Sequence, residues 1–301
     1  MKTKTSAAES IVGGRTLWQE AWLRFRRNRL AMAGLIFIFI LVLISIATLA
    51  IDLSDGGSFY THNVIRQNLR QKLMPPSLAH PFGCDEFGRS ILFRMIWGTR
   101  YSVFIGLAAI LIASFGGGAL GALAGYYGGK IDNVMMRIMD IFLAIPSMVL
   151  AIALVAALGT NMFNLLLAIA APQIPRFARV VRASVMSVRE KDFIEAARAI
   201  GAGDLRIVCC YVIPNAMAPV LVQATLGTAN AILSIAGLSY LGLGIQPPTP
   251  EWGAILTSAK TYMRDAWHIS VIPGLGIMLT VLSLNLFGDG LRDALDPKLK
   301  K

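Results

Sequence analysis

The chain has 301 residues, of which 55% are hydrophobic and only 15% charged, and its formal net charge is +11. A mean hydropathy of +0.63 excludes an ordinary soluble domain and indicates a polytopic membrane protein. A basic balance also occurs in nucleic-acid-binding proteins, but membrane proteins acquire it by keeping Lys and Arg in their cytoplasmic loops. The long apolar runs favour the second explanation, so nucleic acid is not an expected partner.

The cysteines and histidines predict neither a disulfide framework nor a metal site. No pair has CxxC spacing, adjacent cysteines seldom meet disulfide geometry, and the histidines are far apart in sequence. The residues concerned are Cys84, Cys209, Cys210, His62, His80 and His268. We therefore assign no metal ligand and no catalytic residue.

Residues 1–30 are predicted to form a cytoplasmic interfacial helix, followed by a first transmembrane helix over residues 31–51. Leu17, Trp18, Trp22 and Phe25 recur at spacings that favour one helical face, which leaves the arginines free to reach phosphate headgroups of the bilayer. A signal peptide is the alternative. The uncharged run that follows is longer than the hydrophobic part of a typical signal peptide, so we expect it to remain as a span.

An extracytoplasmic loop is predicted over residues 52–100 and a second span over residues 101–127. The loop contains HPFGCDEFGRSIL, in which Asp85 is expected to cap a short helix and the glycines to permit turns, so a structured cap is predicted. Glycines recur in the second half of the span, from Gly116 to Gly125. Small residues allow a neighbouring helix to approach closely in a membrane.

The third and fourth spans are predicted over residues 133–158 and 161–178, joined by a tight outer turn. Arg137 and Asp140, three residues apart on one helical face, are expected to pair near the entry of the third span. A cytoplasmic segment over residues 179–213 leads to a fifth span over residues 214–240.

A second outer loop is predicted over residues 241–268, then a sixth span over residues 269–288 and a cytoplasmic tail over residues 289–301. The fold class is thus an all-α membrane protein with six transmembrane helices, and its core domain covers about residues 98–290. Gln223 and Asn230 interrupt the apolar fifth span. Such residues either line an aqueous path or join packed helices by hydrogen bonds.

Six spans place both termini on one side, and the distribution of Lys and Arg predicts that this side is the cytoplasm. Seven lie in the first 30 residues, seven between Arg176 and Arg206 and four after the last span, against two in the short loop before the sixth span. The longer 52–100 loop has six, but long loops follow the positive-inside rule less strictly.

The polar stretch between the fourth and fifth spans predicts two short helices that meet at a glycine corner. Phe193 to Ile200 has good helix formers, and Gly201 can end that helix in a left-handed conformation. Gly203 loosens the turn, and Asp204 is expected to cap a second helix. A DNA-binding helix-turn-helix has a similar outline, but this segment is too short to build the core of a soluble domain.

At these residues the chain resembles the EAA loop of permease subunits of ABC importers. The stretch EAARAIGAGDLRIVCCYVIP has Glu195, Ala196, Ala197, Gly201 and Pro214 at the spacing of that family. Tyr211 and Ile213 stand where isoleucine and leucine are usual, which preserves bulk. The resemblance implies that residues 195–197 and 201–204, including Ala202, couple the permease to an ATPase. Glu195 is then either a partner in a salt bridge or an ordinary solvated charge.

Three further stretches narrow the resemblance to the peptide and nickel importer branch. HPFGCDEFGRSIL is similar to a motif of that branch, with Cys84 for threonine and Ser90 for aspartate, and PPTPEWG and NLFGDGLRDALDPKL are similar to its outer-loop and carboxy-terminal signatures. The resemblance is strongest to the second permease of dipeptide and oligopeptide importers, and it implies the type I importer permease fold in a bacterial inner membrane. Nickel or another chelated cargo, or a glutathione-like peptide, is the alternative.

The same resemblance implies the partners. They are a homologous second permease, two ATP-binding subunits that hold ATP and Mg, an extracytoplasmic binding protein and the lipid bilayer. The chain has no Walker A motif, since Gly125 to Lys130 has the wrong spacing and no following Ser or Thr, so no cofactor of its own is expected. A membrane-embedded enzyme would need convergent ionisable groups, and HExxH and GxSxG motifs are absent. A self-contained channel would leave the polar segment without a purpose.

Overall fold

A computed structural model of the chain describes residues 17–295, with side chains from residue 19 onward. These residues are predominantly helical and contain no β-strand, apart from an isolated bridge between Cys84 and Ser90. The helices are α1 (Leu17–Arg27), α2 (Arg29–Ser54), α3 (Ile91–Tyr127), α4 (Gly129–Ala144), α5 (Ser147–Leu158), α6 (Met162–Ala170), α7 (Ile174–Arg189), α8 (Asp192–Ala199), α9 (Asp204–Ile207), α10 (Ile213–Tyr240), α11 (Trp252–Ser258) and α12 (Trp267–Leu295).

Four of the helical stretches in the described part are long and apolar enough to cross a membrane. They are α2, α3, the stretch from α9 through α10, and α12. The helices α4 and α5 together would give a fifth span. The predicted fourth span, over residues 161–178, is divided between α6, a 3-10 turn over Ala171–Gln173, and the first residues of α7.

The amino-terminal helix α1 packs with its apolar side against the end of α12. Ala21 and Phe25 are buried, and the Phe25 ring meets Phe287 edge to face with ring centroids 5.5 Å apart. Asn28 then breaks the chain, because its side chain accepts hydrogen bonds from the backbone N–H groups of Leu30 and Ala31 and so caps α2. Residues 1–16 of the predicted interfacial helix lie outside the described residues.

The third span predicted over residues 133–158 is not one straight helix. The helices α4 and α5 meet at 87°, with Ile145 in an extended conformation between them. The cause is Pro146, which has no N–H to donate and forces the preceding residue out of the helical region. The uncharged composition of this stretch obscured the break.

Helices α3 and α7 pack together so closely that only glycine fits between them. A Cβ atom added to Gly117, Gly121 or Gly125 would lie 2.3, 2.3 or 2.7 Å from backbone carbonyl oxygens of α7. These glycines are four residues apart, so they form one stripe along α3. The stripe explains the glycines of the second span as a surface for close helix packing.

Two other predicted boundaries shift. The polar segment does not leave the bundle at residue 179, because α7 remains helical to Arg189. The second short helix of that segment is not separate, since α9 continues through a π-helical turn over Val208–Val212 into α10. The result is a single helical stretch of 37 residues from Asp204 to Tyr240, about 55 Å long.

The two ends of the bundle are chemically different. The first, called here the basic end, carries α1, α8, α9 and the last turns of α12. The second, called the cap end, carries the 55–90 loop and the 241–266 segment with α11. Glu251 joins the cap end to α3 through Ser102, and Asp52, near the end of α2, joins α2 to α3 through Trp97 and Arg100.

Candidate functional site

The segment from α8 to α9 ends its first helix in a Schellman motif. The Gly201 N–H donates to the Arg198 carbonyl at 2.9 Å, and the Ala202 N–H donates to the Ala197 carbonyl at 3.1 Å. Gly201 has φ +83°, a conformation that costs other residues about 1 to 2 kcal/mol. Gly203 has φ −70°, which any residue can adopt. The glycine corner is therefore imposed by Gly201 alone.

Asp204 does not cap α9 as expected. The N-cap position is Gly203, and no side chain there accepts a hydrogen bond from the helix. Instead, the Asp204 carboxylate accepts a 2.6 Å hydrogen bond from the hydroxyl of Tyr126, at the end of α3. The partner of Asp204 therefore lies on a helix distant in sequence.

Tyr126 fixes the segment to the bundle through three groups. Besides the hydroxyl, its backbone carbonyl accepts a 2.8 Å hydrogen bond from Arg189, and its ring lies 5.6 Å from the Arg198 guanidinium. A hydrogen bond with Tyr126 raises the pKa of Arg198 above its ordinary value. Tyr126 is buried and joins α7, α8 and α9, although sequence reasoning gave it no role.

The predicted coupling residues divide into an inward and an outward group. Ala197 is buried, together with Ile194, and Ala202 packs against the same core, so these alanines hold the corner in place. Glu195, Ala196, Gly201 and Gly203 are exposed. Two large apolar side chains stand beside them, Ile200 at 82% and Leu205 at 80% exposure. We call Glu195, Ala196, Ile200, Gly201 and Leu205 the coupling surface.

Ion pairs attach α7 to α4 just before this surface. Arg182 contacts both carboxylate oxygens of Asp132, and the Arg179 guanidinium lies 2.6 Å from Asp140. The expected pair between Arg137 and Asp140 is therefore wrong. The carboxylate meets an arginine 39 residues later in the chain, because α7 lies alongside α4.

The two pore candidates on α10 have different surroundings. Gln223 lines a cavity of about 900 Å³ at the basic end. Asn230 does not line that cavity. It is exposed, and its side-chain amide donates to the Leu226 carbonyl one turn earlier on the same helix. The structure thus does not bring the two side chains into one site.

At the cap end, buried charges hold the loops together. Asp85 closes a turn instead of capping a helix. Its carboxylate accepts from the backbone N–H groups of Phe87 and Arg89 and from the Arg89 side chain at 2.6 Å. The Nε atom of Arg94 lies 3.4 Å from the same carboxylate in an ion-pair contact, and its Nη1 donates to the Pro248 carbonyl.

Glu251 connects this cap to two long helices. Its carboxylate caps α11 and accepts hydrogen bonds from Ser102 on α3, at 3.1 Å, and Ser239 on α10, at 2.8 Å. The residue is almost fully buried. The PPTPEWG stretch therefore links the cap end to α10, whose helical stretch begins at the coupling surface.

The polar residues that were given no ligand role have structural contacts instead. His268 is buried, and its Nε2 lies 3.2 Å from the Cys84 carbonyl. Burial raises the pKa of the Cys84 thiol, and the charge of Asp85 raises it further. Among residues 17–295, no group of three or more His, Cys, Asp or Glu is placed to hold a metal ion.

Comparison with known proteins agrees with this architecture. Residues 117–301 match the family model of the binding-protein-dependent transport system inner membrane component, and residues 16–76 match the N-terminal transmembrane domain of oligopeptide transport permease C. The chain belongs to this family of inner-membrane transport components.

Individual members of the family are similar over nearly the whole chain. The dipeptide transport system permease of Alkalihalophilus pseudofirmus is 46% identical over 283 residues, which cover 94% of this chain and 90% of that protein. The dipeptide permease of Haemophilus influenzae is 44% identical, covering 95% and 97%. The glutathione transport system permease of Escherichia coli O157:H7 is 43% identical, covering 95% and 92%.

A solved structure supports the fold. An inward-facing methionine ABC transporter aligns with 68% of this chain and 98% of its own chain, with a TM-score of 0.57 and 18% identity. Together with the family match, this likeness assigns the type I importer permease fold. The predicted all-α polytopic fold class is confirmed.

Proposed function

We propose that this chain is one of two homologous permease subunits of an ATP-driven importer, and that its coupling surface docks on an ATPase subunit in the cytoplasm. The observation that carries the proposal is the exposure of Ile200 and Leu205 on a segment that Tyr126 fixes to the bundle. Large apolar side chains held rigidly in water typify a protein contact.

One helical stretch connects the coupling surface to the cap end. The corner at Gly201 leads within three residues into the continuous stretch from Asp204 to Tyr240. At the far end of that stretch, Ser239 donates to Glu251 of the cap. A movement imposed on the corner by ATP-driven closure would thus reach the cap through one helix. ATP and Mg would be bound by the partner subunits, and the chain itself would be no enzyme.

Docking can be tested by placing a charge on the apolar part of the coupling surface. Leu205→Glu places a charge in the centre of the proposed contact and should prevent copurification of the ATPase subunits. Leu78→Glu is the matched control, because Leu78 is fully exposed at the cap end. The proposal fails if both variants retain the ATPase subunits equally well.

The cargo is proposed to be short peptides. Relatives that cover nearly the whole chain are named as dipeptide, di/tripeptide and glutathione permeases, and glutathione is itself a modified tripeptide. Selection is proposed to rest with a separate extracytoplasmic binding protein. Identifying the ligand that copurifies with that protein tests the cargo. A bound nickel chelate would show instead that the cargo belongs to the alternative class.

The orientation is proposed to place the basic end in the cytoplasm. Cys209 and Cys210 are exposed there, whereas Cys84 is fully buried and its thiol pKa is raised. A membrane-impermeant maleimide should therefore label the chain in inside-out vesicles but not in intact cells. Labelling of the Cys209→Ser/Cys210→Ser variant, which keeps Cys84, should be negligible in both preparations until the protein is denatured. Labelling of Cys209 and Cys210 in intact cells would show that the basic end faces the outside.

Of the two candidate pathway residues, Gln223 is favoured, because among the described residues its amide makes no hydrogen bond, whereas that of Asn230 bonds to its own helix. Gln223→Ala should reduce transport in vesicles, whereas Asn230→Ala should not if its amide only satisfies its own helix. Equal, normal transport by both would assign both side chains to packing. Conduction by the chain without ATPase subunits would favour a self-contained channel.

A further inference from the structure

The cavity at the basic end is lined by two kinds of residue, cationic and apolar. It lies between α1, α7, α10 and the end of α12 and has a volume of about 900 Å³. We call it the headgroup groove. None of the predicted coupling residues lines it.

The cations of the headgroup groove outnumber its anions. Arg24 of α1, Lys191 before α8 and Arg292 of α12 line the groove, and so does the acidic residue Glu20 of α1. Within the described residues, Lys191 and Arg292 take part in no ion pair, while Arg24 lies 3.9 Å from Glu20. The groove therefore keeps two uncompensated positive charges. Cations that line one cavity repel one another, and a bound anion relieves that repulsion.

Most of the other residues that line the groove are apolar. They include Val180 and Val188 of α7 and Pro219, Val222 and Leu226 of α10. Ser184, Asn215 and Gln223 add neutral hydroxyl and amide groups. A small inorganic anion would leave the apolar surface uncovered. A ligand with an anionic head and a hydrocarbon chain matches both kinds of lining.

The position of α1 indicates where such a ligand comes from. Its buried residues pack on α12, while Trp22 is 52% exposed. Exposed Trp side chains and basic residues on an amphipathic helix are typical of the membrane interface. The groove therefore opens at the level where phospholipid headgroups lie.

We propose that the headgroup groove binds one anionic phospholipid, with its phosphate between Lys191, Arg292 and Arg24 and an acyl chain along the apolar residues of α7 and α10. The proposal requires only that the chain lies in a membrane, which its family and apolar helices establish. It does not depend on the cargo or on the docking of an ATPase.

The test measures lipid binding to the assembled, delipidated importer by native mass spectrometry. Phosphatidylglycerol and phosphatidylcholine of the same acyl composition are titrated separately. Wild type should bind one phosphatidylglycerol per copy of this chain in preference to phosphatidylcholine. Lys191→Gln/Arg292→Gln should weaken that binding about thirtyfold, the factor that corresponds to roughly 1 kcal/mol for each surface cation.

The matched control is Arg26→Gln/Arg27→Gln. It removes the same charge from exposed positions on α1 that do not line the groove, so binding should stay within about twofold of wild type. An equal loss of phosphatidylglycerol binding in both double variants would mean that only the general surface charge matters, and it would overturn the proposal. It is also overturned if inorganic phosphate displaces the lipid at similar concentration, if phosphatidylcholine binds as tightly, or if only the isolated chain binds lipid, since a partner subunit would then cover the groove.

Discussion

Replacing Gly201 with alanine isolates the energetic role of the corner between α8 and α9. An added Cβ atom would meet nothing within 4 Å, so the substitution introduces no clash. The cost is purely conformational, because φ is +83° at this residue. For a residue other than glycine this conformation costs about 1 to 2 kcal/mol. Since RT is about 0.59 kcal/mol, this cost should make local opening of the corner about five to thirty times more frequent.

Hydrogen exchange at the Ala202 amide measures this opening directly, because that N–H closes the Schellman motif on the Ala197 carbonyl. Gly203→Ala is the matched control. Its φ of −70° suits alanine, and nothing lies within 4 Å of its added Cβ either. Faster exchange of the amide in Gly201→Ala alone is expected. Equal exchange in the two variants would refute the argument that one left-handed residue holds the corner.

Two further substitutions test the packing that supports the corner. Gly121→Ala should destabilise the chain in detergent by at least about 1 to 3 kcal/mol, because its Cβ would lie 2.3 Å from a backbone carbonyl oxygen of α7. Gly118→Ala is the control, and it should raise the melting temperature slightly because its Cβ would meet open space. An equal response of both would contradict the close packing. Tyr126→Phe removes the hydrogen bond to Asp204 and should cost about 1 kcal/mol, since the exposed carboxylate regains water. Exchange protection of α9 should fall in this variant but not in Tyr127→Phe, and unchanged protection would assign the anchoring to the other contacts of the ring.

The features that the sequence predicted correctly depend on neighbouring residues. The end of α8 at Gly201 follows from backbone sterics, which a glycine after a helical run reveals by itself. The glycines of α3 predicted a close-packing surface because small residues recur along that span. The break between α4 and α5 is also a local feature, because Pro146 causes it. The uncharged run indicates a single span instead, so the break is not predicted.

The features that the sequence did not reveal depend on partners far apart in the chain. Tyr126 meets Asp204 78 residues later, and no local pattern marks a tyrosine at the end of an apolar helix as an anchor. The partner of Asp140 was chosen by helical proximity, although packing of α7 against α4 supplied a better-placed arginine. The headgroup groove likewise needs α1, α7, α10 and α12 to be assembled before its cations line one cavity.

The backbone-to-backbone packing of α3 and α7 also limits how the protein can diverge. Side chains normally absorb sequence change at a helix interface by repacking, but the contacts at Gly117, Gly121 and Gly125 contain no side chain to adjust. The two helices therefore form a nearly invariable unit, and a mutation in the stripe cannot be compensated one residue at a time. Adaptation to a new cargo is expected on other helices, while this pair preserves the connection from the membrane to the coupling surface.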